Sequence, residues 1–228
     1  YAATVWGDST VYGEFFSPDG DTGPIRSITV SGVHLRQIVS RDDDPAPVDV
    51  AFDRQLCWFT EDGQRRLGRI RSAIVGAGGT GSHVALQLAY LGIRDFVLID
   101  HDVADETSMN RLVTAVAADV GTQKAILARR HIKSVAPSAR VRTIATQIQS
   151  TEAIDSLKGV DVLFGCVDND GARLILNEIS RAYCIPYFDL AVGIDVEEGR
   201  VTTAGGRVAV VTPGGPCLHC LKEIDVDE

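Results

Sequence analysis

An apolar run, Ile70–Val75, breaks on Gly76-Ala77-Gly78-Gly79-Thr80-Gly81. A helical pattern then takes over, with Val84, Leu88 and Leu91 at i, i+4 and i+7. Few sequence features restrict a fold so much. Glycine lets the chain turn tightly between strand and helix, and lets backbone N–H groups at the helix N-terminus approach a phosphate. A second apolar run, Phe96–Ile99, ends at Asp100, 24 residues after Gly76. An acid at that strand end can accept hydrogen bonds from ribose hydroxyls. Gly76, Gly78, Gly79, Gly81 and Asp100 are therefore candidate nucleotide contacts. So far NAD, FAD and ATP satisfy the pattern equally.

The rest of the chain continues the alternation. A helix is predicted over Gly121–Lys133, strands at Val141–Ala145 and Val160–Cys166, a helix over Asp170–Tyr183 and a strand at Ile185–Leu190. Strand alternating with helix predicts an α/β, Rossmann-like, doubly wound and mostly parallel sheet. Val201–Thr203 and Val208–Val211, separated by Ala204-Gly205-Gly206-Arg207, are read as C-terminal antiparallel strands joined in a hairpin. Ahead of this core, residues 1 to 40 read as short β segments: Ala3–Trp6, Thr10–Phe16, and Ile28–Val30 beyond the turn signal Ser17-Pro18-Asp19-Gly20. The polar, Pro-bearing stretch Arg41–Pro47 reads as a linker. The expected division is a β-rich segment at 1–50 and the nucleotide-binding domain at 51–228.

Composition removes several function classes. The net charge is −9 and the isoelectric point about 5.0, so the surface repels phosphate backbones and anionic lipid; nucleic acid and membrane are excluded as expected partners. The longest uncharged stretch, Ser72–Ile93, carries five glycines with Thr80, Ser82, His83 and Gln87, which does not suit a bilayer span. Five cysteines with only Cys217 and Cys220 close together do not make a secreted disulfide framework, so a cytoplasmic setting is expected. The chain opens on Tyr1 without a signal-peptide pattern and reads as a piece of a longer polypeptide.

Side chains at the sheet edge choose among the nucleotides. Asp102 lies just beyond the second strand, Asn110-Arg111 follows in a loop, Lys124 falls in the first turns of the next helix, and Asp168-Asn169 follows the strand ending at Cys166. All lie at the C-terminal ends of parallel strands, the ligand edge of an open α/β sheet. A dinucleotide pyrophosphate is usually satisfied by backbone amides and a helix dipole. A magnesium triphosphate needs side-chain cations and a carboxylate for the metal. Arg111, Lys124 and Asp168 supply that set, so Mg·ATP is the favoured ligand.

These stretches resemble a known family. Gly76–Gly81, Ile99-Asp100-His101-Asp102, Met109-Asn110-Arg111, Gly121-Thr122-Gln123-Lys124 and Cys166-Val167-Asp168-Asn169 look like the ThiF/MoeB/HesA superfamily, bacterial relatives of ubiquitin-activating enzymes. Phe52-Asp53-Arg54-Gln55 resembles its Tyr-x-Arg-Gln segment, and Pro216-Cys217-Leu218-His219-Cys220 resembles the first half of its zinc site. The resemblance implies ATP-dependent adenylation of the C-terminal glycine carboxylate of a ubiquitin-like or sulfur-carrier protein ending in Gly-Gly, by a homodimer. Arg111 and Lys124 would act on the phosphates, Asp168 would hold Mg²⁺, Asp100 would bind the ribose with Asp102 nearby, and Arg54 would reach the γ-phosphate of the partner subunit's ATP. Cys217 and Cys220 would be half of a tetrahedral Zn²⁺ site, with the second pair expected in sequence this chain lacks. Where the family usually has Ser-Asn-Leu-Asn-Arg, this chain has Thr107-Ser108-Met109-Asn110-Arg111, so Ser108 stands in for an Asn and is expected to donate one hydrogen bond.

Two other classes compete. The glycines and Asp100 alone would fit an NAD-dependent oxidoreductase. A nucleotide-binding scaffold without activity would fit the fold, but Arg111, Lys124 and Asp168 argue for the enzyme. Cys184 is expected to be a buried core cysteine. Cys57, in the helix leading into the core, and Cys166, at a strand end, do not stand out as nucleophiles. The first fifty residues faintly resemble the tail of a JAB/MPN-type isopeptidase domain; its His-x-His metal motif is absent and His34 stands alone, so no peptidase activity is expected.

Overall fold

A computed structural model describes residues 2–5, 11–16, 22–25, 27–30, 36–39 and 48–224. The chain divides into two compact units, one of Tyr1–Pro47 with Pro213–Gly215, the other of Val48–Thr212 with Pro216–Glu228. In the smaller unit, β1 (Ala2–Val5), β2 (Val11–Phe16) and β3 (Thr22–Pro24) form an antiparallel three-stranded sheet, and β4 (Ser27–Val30) pairs with β5 (Arg36–Val39). The expected strands at Ala3, Val11 and Ile28 are present there. The Ser17–Gly20 turn, His34 and the Arg41–Pro47 linker lie outside the described residues.

The larger unit runs α1 (Asp53–Arg69), β6 (Arg71–Val75), α2 (Gly79–Leu91), β7 (Asp95–Ile99), α3 (Lys124–Val135), β8 (Arg140–Ile144), α4 (Thr151–Leu157), β9 (Val162–Gly165), α5 (Asp170–Ala182), β10 (Tyr187–Glu197) and β11 (Arg200–Val211). Its six strands are ordered β11-β10-β9-β6-β7-β8. The five from β10 to β8 are parallel and β11 closes the edge antiparallel. Alternate residues of β6 and β7 serve opposite faces, as strand geometry requires. Ile74, Phe96 and Leu98 pack with Ala85 and Ala89 of α2 and with Ala128 and Ile132 of α3. Ala73, Val75 and Val97 pack with Leu157 of α4 and with Leu176 and Ile179 of α5. Small alanines on α2 and α3 let those helices lie close to a strand layer of bulky side chains. Among the described residues no helix is long and apolar enough to cross a membrane.

Three boundaries differ from the sequence reading by three residues or more. The helix expected from Gly121 begins at Lys124, because Gly121 has φ +88°, outside the helical region, and Gln123 is the N-cap. The expected hairpin turn at Ala204–Arg207 is continuous strand inside β11; the chain turns instead at Glu198-Gly199, with φ of 50° and 77°. A type I′ turn, one of the two-residue hairpin loops that match strand twist, has positive φ at both positions, and that pair supplies it. β10 is consequently longer than Ile185–Leu190, and it pairs with β11 from Tyr187↔Val211 to Glu197↔Arg200 with a bulge at Asp195/Val196. Helix α4, capped by Ser150 Oγ accepting from the Ala153 N–H at 3.2 Å, was not anticipated.

Cys184 is exposed rather than core. It takes φ 54° just past the α5 C-cap, where Ile185 N–H returns to the Ser180 carbonyl at 2.9 Å. A left-handed residue closing a helix points its side chain away from the packed face. The described cysteine buried in a core cluster is Cys217.

Candidate functional site

The order β8-β7-β6-β9-β10 places the topological switch between β6 and β9. The chain leaving β6 goes to α2 on one face, and the chain leaving β9 goes to α5 on the other. A crevice opens between two such diverging loops. Here it is an open cleft of about 1590 Å³, and the sequence-derived candidates Gly76, Gly78, Gly79, Asp100, Asp102, Arg111, Lys124 and Asp168 all line it.

The loop after β6 is held by backbone. Gly76 N–H donates to Ile99 O at 2.9 Å, and Cys166 N–H donates to Val75 O at 2.8 Å. Gly76 has φ +87°, and a Cβ there would stand 2.5 Å from the Cys166 carbonyl oxygen, so only glycine lets the two loops pass so closely. Gly81 sits beneath the loop, where a Cβ would overlap the Gly76 carbonyl. The first turn of α2, whose N–H groups have no partner within the helix, faces the cleft at Gly79 and Thr80. Arg111 lies across it. Its Nη1 donates to Thr107 O at 2.7 Å, and its Cδ would stand 3.2 Å from a Cβ on Gly79. Gly79 thus makes room for an arginine stem over a helix N-terminus.

Asp100 closes the loop from the other strand. Its Oδ2 accepts the Ala77 N–H at 2.6 Å and its Oδ1 the Asp102 N–H at 2.8 Å. Burial raises its carboxyl above the ordinary range, opposed by those N–H groups and by Lys124. Asp102 is half exposed and takes Lys124 Nζ on Oδ2 at 2.8 Å; that hydrogen bond holds its carboxyl below the usual value. Lys124, first residue of α3, is itself pinned by its N–H donating to Asp102 O at 3.0 Å.

On the opposite lip Asp168 is exposed and receives a long contact, 3.4 Å, from Asn169 Nδ2. Capping of α5 falls to Asn169, whose Oδ1 accepts the Ala172 N–H at 2.8 Å, leaving Asp168 to the cleft. Asn110 is exposed, with its Oδ1 3.3 Å from Arg111 Nη1, and lies beside the cleft rather than in it. Ser108 is buried and exchanges hydrogen bonds with Asp105, accepting from its N–H at 3.0 Å and donating to its carbonyl at 2.9 Å. The hydroxyl thus donates its one hydrogen bond within its own turn. Arg54, exposed on α1, does not line the cleft of its own chain.

Cys166 does line the cleft, but burial pushes its thiol up to about 12, which disfavours the thiolate. Away from the cleft, Cys217 and Cys220 face each other with Sγ atoms 3.6 Å apart on a turn tied to α5 by the Leu218 N–H donating to Asn177 Oδ1 at 2.9 Å. Burial opposes ionisation of Cys217, but the Cys220 N–H and the Arg181 side chain outweigh it and hold the thiol down to about 6.

Sequence reasoning missed three charged residues at this site: Arg173, Asp189 and Arg207. Arg173 and Arg207 line the cleft, and Asp189 is fully buried below them. An acid inside the apolar strand Ile185–Leu190 was the available signal, because a charge in a central strand needs a partner.

Fold and site together define a doubly wound α/β domain with an open cleft at the switch point of its sheet. The ThiF family model matches residues 52–228, and the chain belongs to that family. It is 31% identical over 160 residues to the SAMP-activating enzyme E1 of Haloferax volcanii, covering 70% of this chain and 56% of that protein. It is 36% identical over 126 residues to a probable adenylyltransferase/sulfurtransferase MoeZ of Mycobacterium tuberculosis, covering 55% of this chain and 32% of that one. The chain therefore spans about a third to little more than half of these relatives. The crystal structure of Escherichia coli MccB with ATP has the same fold, with a TM-score of 0.62 at 22% identity, over 79% of this chain and 54% of that one.

Proposed function

We propose that this chain binds Mg·ATP and adenylates the C-terminal glycine carboxylate of a ubiquitin-like or sulfur-carrier protein, releasing pyrophosphate. The observation that carries the reading is the convergence, on one cleft, of a helix N-terminus, the cations Arg111 and Lys124, and the exposed carboxylate of Asp168. Relatives named as adenylyltransferases and as a SAMP-activating enzyme support it. So do the two acids at the end of β7: Asp100 accepts one N–H on each oxygen and still lines the cleft, and Asp102, half exposed, lies beside it paired with Lys124, so both face the place a ribose would take. An NAD-dependent enzyme would leave the Arg111–Lys124–Asp168 set without work.

In the reaction a carrier carboxylate oxygen forms a bond to the α-phosphorus and the bond to the bridging α–β oxygen breaks, so pyrophosphate takes the electron pair. Both reactants are anions. Arg111, stretched over Gly79, and Lys124 offset the charge that accumulates on the phosphate oxygens, each fixed donor being worth about 10²–10³ in rate. Asp168 fits Mg²⁺ because a lone exposed carboxylate beside phosphate oxygens is the donor set that ion takes. When bound, Mg²⁺ neutralises triphosphate charge. The carrier tail fits the floor of the cleft, where Gly193 pairs with Gly205 and a Cβ at either would meet nothing within 4 Å. A tail ending in Gly-Gly would lie against a strip of sheet that carries no side chains there.

Arg54, away from its own cleft, is assigned to the cleft of a second copy in a homodimer. The apolar face of β10–β11, with Val192, Ile194 and Val208 exposed, is surface such an assembly would cover. Cys217 and Cys220 fit half a zinc site. Two thiolates about 2.3 Å from one tetrahedral ion stand about 3.8 Å apart, close to the 3.6 Å found.

The test is a thermal-shift titration with Mg·ATP and, separately, NAD, followed by pyrophosphate exchange with candidate carriers. A saturable rise with ATP alone that is lost in Asp168→Ala, with exchange on a Gly-Gly carrier, is the expected result. Stabilisation by NAD alone would overturn the proposal.

A further inference from the structure

Beneath the cleft lies a chain of charges to which adenylation itself assigns no part. Asp189 on β10 has no exposure. Its Oδ1 accepts the Tyr187 hydroxyl at 2.8 Å, and its Oδ2 accepts Arg207 Nη2 at 3.1 Å. Arg207 is fixed in turn, its Nη1 donating to Glu223 Oε2 at 2.5 Å and its Nη2 to the Glu223 carbonyl at 2.8 Å. From the cleft side Arg173 brings Nε to 3.4 Å from Asp189 Oδ1, an ion pair without a hydrogen bond, so the carboxylate draws the guanidinium by charge. The same guanidinium donates from Nη1 to Asp170 Oδ1 at 2.7 Å and from Nη2 to the Val167 carbonyl at 2.9 Å. Val167 immediately precedes Asp168.

Packing does not explain this. Burying a carboxylate between arginines is costly, and apolar side chains of like volume commonly serve stability as well or better. What the arrangement does supply is aim. The β9 ladder ends with Gly165 opposite Val75 and Asp189, and after the Cys166 N–H bond to Val75 O the chain leaves the sheet at Val167, one residue before Asp168. Arg173 links the Val167 carbonyl to β10 through one rigid planar group, and a planar fork holds geometry in a way that a flexible amine does not.

We propose that Asp189 and Arg173 are positioning residues that set the place of Asp168: the buried carboxylate orients the guanidinium, and the guanidinium holds the Val167 carbonyl. The inference rests on the reading of Asp168 as the magnesium-binding carboxylate. Groups that orient a metal's ligand typically change metal affinity about 10–100-fold when removed, with little effect on contacts elsewhere in the site.

The experiment is calorimetric titration of the purified chain with ATP, first in chelator and then over a series of MgCl₂ concentrations, for the parent, Arg173→Lys, Asp170→Asn and Asp168→Ala. For Arg173→Lys, ATP affinity in chelator should stay within about twofold, while the Mg²⁺ concentration that half-maximally tightens ATP rises about 10–100-fold. Asp170→Asn, which removes an exposed anchor of the same guanidinium and leaves the buried charges paired, should shift it in the same direction by less. Should Arg173→Lys fail to fold, Asp170→Asn decides. An unchanged Mg²⁺ midpoint in these variants, beside a shifted one in Asp168→Ala, overturns the positioning role alone. An unchanged midpoint in Asp168→Ala overturns the reading of Asp168, and the inference with it.

Discussion

Two glycines at the β6–α2 junction should respond very unequally to one added methyl group. At Gly81 an alanine Cβ would fall on the Gly76 carbonyl and stand 3.4 Å from the Cys166 Cβ. The obstacle is backbone at the hinge of the glycine loop, itself pinned by the Gly76 N–H to Ile99 O bond. It cannot swing aside as a side-chain tip would. At Gly78 a Cβ meets nothing within 4 Å and φ is −72°, an ordinary value for any residue. Forcing excess volume into a packed site costs about 1–3 kcal/mol or more, and rigid backbone puts Gly81→Ala at the upper end, about 3 kcal/mol. At Gly78, alanine is a poorer N-cap than glycine by some tenths of a kcal/mol, while the loss of unfolded-chain freedom returns about 0.4–1 kcal/mol, so the net is near zero. One kcal/mol moves the melting temperature of a domain this size by about 2–4 °C. Gly81→Ala should therefore melt about 6–12 °C below the parent and Gly78→Ala within about 3 °C of it. Circular-dichroism melts at one protein concentration measure both. Equal loss in the two variants, or a Gly81→Ala protein as stable as the parent, would show that the loop is not packed as described.

Gly205→Val should leave the melting temperature and the ATP-induced shift unchanged, because the added side chain enters open space on a strand, and should abolish carrier-dependent pyrophosphate exchange; normal exchange would remove the tail from this strip. Tyr187→Phe deletes the hydroxyl that Asp189 accepts at 2.8 Å and should cost about 1–3 kcal/mol in urea unfolding, while a change below a few tenths would show that the network re-satisfies itself. Asp119, hydrogen-bonded by Arg130, has its carboxyl lowered from 3.8 to about 2. A depressed acid contributes stability that is complete above its unfolded value and lost as pH falls toward the folded one. The melting-temperature gap between the parent and Asp119→Asn should accordingly be constant above about pH 5 and close between about pH 4 and pH 2; a gap that widens on acidification would contradict the assignment.

The candidate cleft was readable far ahead of the structure because its signals are local. A glycine run between a strand and a helix has few other uses, and each expected strand end carried its polar residue a position or two later. Strand and helix periods depend only on neighbours within a turn or two, so the parallel core emerged nearly whole. The helix start at Lys124 was displaced by three residues for an equally local reason, the left-handed Gly121. A Gly-Thr pair reads alike as the last of a loop or the first of a helix.

What the sequence by itself determined is the order of elements, the glycine loop after β6 and the side chains at the sheet edge, since spacing and glycine content dictate these within short windows. Tertiary structure decided which partner each group meets. The hairpin turn fell at Glu198-Gly199 rather than Ala204–Arg207 because β11 gains a full ladder against β10 that way, a choice settled by pairing across the whole strand. Cys184 faces solvent, and Ser108 turns to Asp105 rather than to the cleft. Asp100 accepted the loop's own N–H groups, and Asp189, an acid in an apolar strand, found two arginines, one on α5 and one on β11. Burial and charge pairing are properties of three-dimensional neighbours, and no short window of sequence contains them.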